Sequence, residues 1–178
     1  MKTYISILRG INVSGQKKIL MTDLKSLYQE LGFANVQTYI QSGNVVFECK
    51  EASPIQLQEM IFDKIESHYG FEVPNLILTP AEIETALSDN PYPNIENPYF
   101  TFLSENPKQE NINALNSISF DNEFFELIGK VIYSHYPNGA GRAKMNNNLI
   151  ERKLKIRATS RNLNTTKKLL EMTKFTED

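Results

Sequence analysis

The 178-residue sequence has no tryptophan, one cysteine and two histidines, and each scarcity removes a class of chemistry. Cys49 alone closes no internal disulfide. It stands beside Phe47 in an expected strand, where a reduced thiol behaves as a small apolar group, and no evident partner activates it as a nucleophile. His68 and His135 sit in no metal-ligand spacing, and no cysteine or histidine cluster joins them. There is no Gly-x-Ser-x-Gly elbow, no Walker A loop and no Gly-x-Gly-x-x-Gly. The apolar stretch that follows Lys2 is broken by Arg9, too soon for a signal segment and far too soon to span a bilayer. The expectation is a cytoplasmic protein with no metal, no redox cofactor and no membrane association.

What is present is an ordinary globular composition, 40% hydrophobic and 22% charged, enough at this length to bury a core without a staple. The net charge of −2 hides an asymmetry. Residues 1–139 carry nine basic and seventeen acidic side chains, and residues 140–178 carry ten basic and four acidic. Between Arg142 and Lys168 nine basic residues accompany a single acid, Glu151. Such a block on an acidic body serves either as an internal electrostatic dock or as an anion-binding face.

The element order reads as β-α-β-β-α-β, twice. Thr3–Leu8 is a buried strand, and Leu24, Leu27, Tyr28 and Leu31 fall at helical spacing before Gly32. Strands follow over 35–41 and 45–49, joined by a two-residue turn at Gly43-Asn44. Ser53-Pro54-Ile55-Gln56 starts a helix with a capping box, and Gly70 ends it. A strand over 74–79 completes the split ferredoxin-like unit. Thr79-Pro80-Ala81-Glu82 opens a short helix, and Pro91, Pro93 and Pro98 stiffen a linker. The second set comprises a strand at 99–103, a helix capped by Asn106-Pro107, a hairpin across Gly129-Lys130, a helix at 143–154, a short extended piece at 155–159 and a closing helix at 161–174. The fold class is therefore α+β, with two ferredoxin-like (βαββαβ-type) subdomains, the second ending atypically with a C-terminal helix. The divisions fall at 1–79, 80–98 and 99–178.

Three polar segments mark element ends: Arg9-Gly10-Ile11-Asn12, Ser42-Gly43-Asn44 and Thr159-Ser160-Arg161-Asn162. They supply guanidinium, amide and hydroxyl groups for holding an anion, with no general base beside them. The loop after Arg9, with Gly10, Gly15, Lys17 and Lys18, is longer than the usual strand-to-helix connection. Arg9 either forks to a ligand or pairs with an internal carboxylate. Ser42, Gly43 and Asn44 also satisfy plain turn chemistry, and Thr159, Arg161 and Asn162 stand where they can cap the last helix or present its N-terminus to an anion. Gly139-Ala140-Gly141-Arg142 is read either as a phosphate loop or as a turn into the next helix. The candidate ligand-binding set is thus Arg9, Gly10, Asn12, Ser42, Gly43, Asn44, Thr159, Arg161 and Asn162, with the first and third segments expected to converge. Two alternatives stand beside a small anionic or nucleotide-like ligand: a nucleic-acid accessory role for residues 142–168, and an enzyme acting on a phosphorylated substrate with Glu48, Glu51, Asp121 or Glu123 as its acid or base. An RNA-stacking sheet is disfavoured, because Asn44, Val45 and Val46 stand where aromatics are needed.

The same segments resemble a bacterial family, domain of unknown function 1697. Leu8-Arg9-Gly10-Ile11-Asn12-Val13 is similar to its opening motif, Thr38-Tyr39-Ile40-Gln41-Ser42-Gly43-Asn44-Val45-Val46-Phe47 to its second, and Ala158-Thr159-Ser160-Arg161-Asn162 to its third. Members often have tryptophan after that asparagine, where this chain has Leu163. The resemblance covers essentially the whole chain. It implies a two-part α+β fold with ferredoxin-like elements, and no established activity, cofactor or catalytic residue.

Overall fold

The computed structural model describes residues 1–50 and 52–174. The chain divides into two units, one holding Met1–Glu84 and the stretch from Lys167, the other Thr85–Thr166.

The first unit contains β1 (Lys2–Leu8), α1 (Met21–Glu30), β2 (Ala34–Tyr39), β3 (Asn44–Cys49), α2 (Pro54–Tyr69) and β4 (Asn75–Leu78). Its sheet runs β2-β3-β1-β4 with every neighbour antiparallel, the order that a split βαβ arrangement produces. Local chemistry sets the helix ends. Ser53 and Gln56 close the expected capping box, Pro54 opens α2, and Gly70 ends it at φ 75°. One sheet face, carrying Tyr4, Leu8, Val45, Phe47 and Ile77, packs against Leu24, Leu27 and Tyr28 of α1 and Leu57, Ile61 and Ile65 of α2. Phe47 anchors this layer, its ring centroid 4.5 Å from Phe33 and 5.5 Å from Tyr28. Cys49 lies in the same cluster, where burial pushes its thiol pKa up. The other face carries Ile5, Ile7 and Val46, all fully buried, so it offers no platform on which bases could stack.

α3 (Pro80–Ser88) starts with the reciprocal Thr79–Glu82 bonds that Thr-Pro-x-Glu dictates. The second unit then contains β5 (Tyr99–Leu103), α4 (Gln109–Asn116), β6 (Phe124–Ile128), β7 (Val131–His135), α5 (Asn147–Leu154) and β8 (Ala158–Asn162), and α6 (Leu163–Met172) follows. Its antiparallel sheet, β6-β7-β5-β8, repeats the first order strand for strand. Leu103, Leu115, Ile132, Met145, Ile150, Leu154 and Ala158 form its helix-side core. Among the described residues no helix is long and apolar enough to cross a membrane.

Several boundaries differ from expectation. The β2–β3 connection is not a two-residue turn: Tyr39 pairs with Asn44, leaving a four-residue loop, Ile40 to Gly43, whose ends both have positive φ. Asn106 does not cap α4, because Pro107 lies two residues upstream of it and Lys108 occupies the cap without a side-chain bond. α5 begins at Asn147 rather than Ala143, since Asn146 caps it by accepting from the Leu149 amide. The extended piece placed at 155–159 is a full strand at Ala158–Asn162, shifted because Lys155 takes a left-handed C-cap, φ 58°. The two-residue hairpin at Gly129-Lys130 is as expected, with Ile128 opposite Val131 and Gly129 at φ 59°.

Tyr28 donates to Ser6 Oγ at 2.7 Å inside the first core, where both residues are fully buried. Burial raises its phenol pKa, with the serine bond opposing. Tyr28→Phe removes the donor and leaves the serine hydroxyl unsatisfied, an expected loss of about 1–3 kcal/mol in urea denaturation. Tyr133 and Tyr136 are pushed up to about 12 by burial. Stability carried by these neutral phenols is therefore complete below the ordinary value of 10.0 and declines as pH climbs from there toward 12. Alkaline melts paired with phenolate absorbance check this window.

Candidate functional site

The first and second polar segments meet at one end of the first unit's sheet. β1 ends at Leu8, whose amide donates to Gly43 O at 2.8 Å, and the next amide, Arg9, donates to Pro74 O at 2.9 Å. The chain then leaves the sheet as a loop with left-handed residues at Gly10, Asn12, Ser14, Gly15 and Lys17. Asn12 holds that loop shut. Its Nδ2 donates to Ile19 O at 2.9 Å and to Gln41 O at 2.8 Å, while its Oδ1 accepts from Ile19 N at 2.9 Å. Both amide hydrogens are spent on backbone carbonyls, so Asn12 positions the loop and the turn against each other. Asn44, fully buried, does similar work by donating to Tyr39 O and Ser42 Oγ. Arg9 is half-buried at the loop's start.

Gly43 is where these pieces come closest. A Cβ there would lie 2.7 Å from Ile11 Cδ1 and 2.8 Å from Leu8 Cβ, on a backbone at φ 80°. Only glycine meets both conditions. Gly10, at φ 75°, has open space around it.

The loop and the turn wall a surface cleft of about 360 Å³, lined among others by Asn12, Lys18, Leu20, Asp23, Gln41 and Tyr69. Ile19 and Leu20 supply apolar wall, and Lys18, Asp23 and Gln41 are exposed. Leu20 is the N-cap of α1 and gives that helix no side-chain cap. Tyr69 ends α2, and its hydroxyl is buried without a hydrogen-bond partner among the described residues. Burial raises the phenol's pKa, and the negative Asp23 raises it further. Lys18 belongs to the loop singled out in the sequence. Asp23 and Tyr69 carried no local signal, since one is an ordinary first-turn acid and the other an ordinary C-terminal aromatic. Only packing of α1 beside the end of α2 puts them in one cleft.

The third segment is built otherwise. Thr159, Ser160 and Arg161 are strand residues of β8, and Asn162 ends that strand while capping α6 by accepting from the Thr165 amide at 2.9 Å. Ser160 hydrogen-bonds Thr101 on β5 at 2.6 Å and donates to Asn147 on α5 at 2.7 Å. Thr159 is buried. Arg161, opposite Phe100, is 8% exposed and donates to Ser160 O at 2.8 Å. Burial lowers its pKa to about 10, which leaves it charged at neutral pH. The expected presentation of Thr159 and Arg161 at a helix N-terminus is thereby corrected: pairing of β8 with β5 makes them sheet residues.

The remaining candidates settle into structure. Gly139–Arg142 is a 3-10 turn at Ala140–Arg142 that stops short of α5, so no helix N-terminus stands behind it. Glu123 accepts from the amides of Lys144 and Met145 at 2.8 and 2.9 Å, and Glu48 accepts from Asn35. Glu51 lies outside the described residues. His135 ends β7 with its ring against Phe124, and His68 meets the Tyr69 ring edge to face.

A family model described as "Protein of unknown function (DUF1697)" matches residues 1–133. The fold is similar to that of a conserved bacterial protein from Streptococcus pneumoniae, with a TM-score of 0.75 at 24% identity over 97% of this chain and 99% of the other. No curated protein matches the sequence.

Gly43→Ala and Gly10→Ala impose the same left-handed strain but differ in contact. The first is expected to lose about 1–3 kcal/mol more than the second, the cost of overpacking against Leu8 and Ile11. Chemical denaturation of the two variants measures that difference directly.

Proposed function

The chain belongs to the DUF1697 family of proteins of unknown function, and on that premise we propose that its first unit binds a small ligand with an anionic group, in the cleft beside the loop from Arg9 to Leu20. One observation carries the reading. Lys18, Leu20 at the start of α1, which has no side-chain cap, and Tyr69, whose buried hydroxyl has no partner among the described residues, line one cleft of about 360 Å³. That volume suits a small molecule. A helix start without a side-chain cap leaves amides and a partial positive charge for an anion. A buried hydroxyl with no partner costs free energy that a ligand acceptor would recover. Asp23 in the same wall repels dense negative charge, so the reading favours a carboxylate or a phosphate monoester over a polyphosphate. Arg9, Gly10, Asn12, Ser42, Gly43 and Asn44 then shape the cleft's walls rather than touch the ligand.

Five exposed basic residues of the second unit, Arg142, Lys144, Arg152, Lys155 and Arg157, support a second reading, contact with nucleic acid. Burial withdraws Arg161 from it. If all five residues met phosphates, binding to a duplex oligonucleotide would weaken with salt at a log–log slope of about −4.5. A titration with no binding at low salt removes this reading.

A thermal-shift panel of carboxylates, phosphate monoesters and nucleotides tests the first reading. Stabilisation by a carboxylate or a phosphate monoester, exceeding that by a polyphosphate nucleotide, is expected. Lys18→Ala should abolish it while leaving the unliganded protein within roughly ±0.5 kcal/mol, since Lys18 is exposed. Tyr69→Phe should weaken ligand binding yet leave the unliganded protein unchanged or more stable by up to about 1 kcal/mol. A structural role for that hydroxyl would instead make the variant less stable.

A further inference from the structure

The two units share a strand order, and the strands that correspond are protected differently. β2 and β6 occupy the same outer place in their sheets. In the first unit α1 packs over β2. The register of β2 also slips between Ala34 and Gln37, with Asn35 at φ 49°. A covered, bulged edge resists pairing with another chain. In the second unit the counterpart helix α4 leans on α5 instead. β6 runs its whole length, Phe124 to Ile128, in unbroken register with β7. Its outer backbone edge faces no strand among the described residues. Phe124 is 41% exposed, and Phe125, Leu127 and Ile128 are only half-buried. Between α4 and β6 lies a groove of about 420 Å³ walled by Ile112, Phe125 and Leu127, with Gln109, Asn116 and Glu126 among its polar members.

We propose that β6 is a docking edge for an extended peptide segment of another protein, which adds as a fifth strand, sets apolar side chains into the α4–β6 groove and places a basic residue against Glu126. The backbone edge supplies the hydrogen bonds of strand addition, and alternate side chains supply selectivity. Glu126 decides the partner's charge. It is exposed at the centre of β6, on the face where Tyr92 packs on Phe124, and its charge adds to burial in raising the pKa of Tyr92. A second copy of β6 paired antiparallel about its centre would set Glu126 against Glu126, and like charges directly opposite destabilise a strand pair. A partner strand with lysine or arginine at that place meets the opposite charge. This surface belongs to the second unit and is independent of the ligand cleft.

The test uses the full chain with two capped peptides, each of five residues to match β6. One alternates valine with lysine and the other valine with glutamate. Amide hydrogen exchange and chemical-shift mapping read the outcome. The basic peptide is expected to protect β6 amides and shift Ile112 and Leu127, with the acidic peptide binding about tenfold more weakly. Glu126→Lys, at an exposed position, should reverse that preference with circular dichroism unchanged. Equal binding of both peptides, protection confined to other strands, or no protection by either overturns the proposal. So does sedimentation showing that the chain alone dimerises through β6.

Discussion

Backbone meets backbone at Gly43, and the first unit is arranged around that approach. The Leu8 amide reaches Gly43 O, Ile11 lies over the glycine, and no side chain fits between them. Because β1 must end there, the chain is thrown into a loop rather than straight into a helix. Because that loop must return to start α1, it needs an internal clasp, and Asn12 provides one through Ile19 and Gln41. The cleft is what remains beside a loop tied at both ends to rigid elements. Its walls are thus held by sheet and helix.

The second unit shows the same topology put to different use. Its counterpart motif, around Ser160, is absorbed into the sheet. Ser160 bridges Thr101 and Asn147, so one hydroxyl joins two strands and a helix. Asn162 ends a strand and caps a helix at once. Polar residues that share a functional look in sequence therefore divide by their surroundings. In the first unit they fold a loop around open space, and in the second they satisfy one another inside a packed layer. The two outer strands diverge for a similar reason: the longer α1 covers β2, while the shorter α4 leaves β6 at the rim of a groove.

Much of this architecture follows from local rules and was legible in the sequence. The capping box at Ser53, the reciprocal Thr79–Glu82 start, the stops at Gly32 and Gly70 and the hairpin at Gly129 each need only a few adjacent residues. The doubled βαββαβ order followed from them. Where local rules misled, a partner distant in sequence had intervened. Gly43-Asn44 has the composition of a tight turn, but pairing of Tyr39 with Asn44 opened it to four residues. Thr159 and Arg161 have the composition of a helix start, but β5 claimed them as a strand.

The sequence by itself determined the elements, their order and the loop that would carry polar chemistry, because propensity, capping and turn geometry act over a few residues. Tertiary structure alone decided which side chains share the cleft. Lys18, Asp23 and Tyr69 come from a loop, a helix start and a helix end separated by up to fifty-one positions, and nothing in the spacing of three such residues records that they meet. It also decided that Asn12 would be tied to the backbone and the Tyr69 hydroxyl left without a partner among the described residues, since a hydrogen bond is made or left unmade by the position of its partner, and that position is a property of the packed chain.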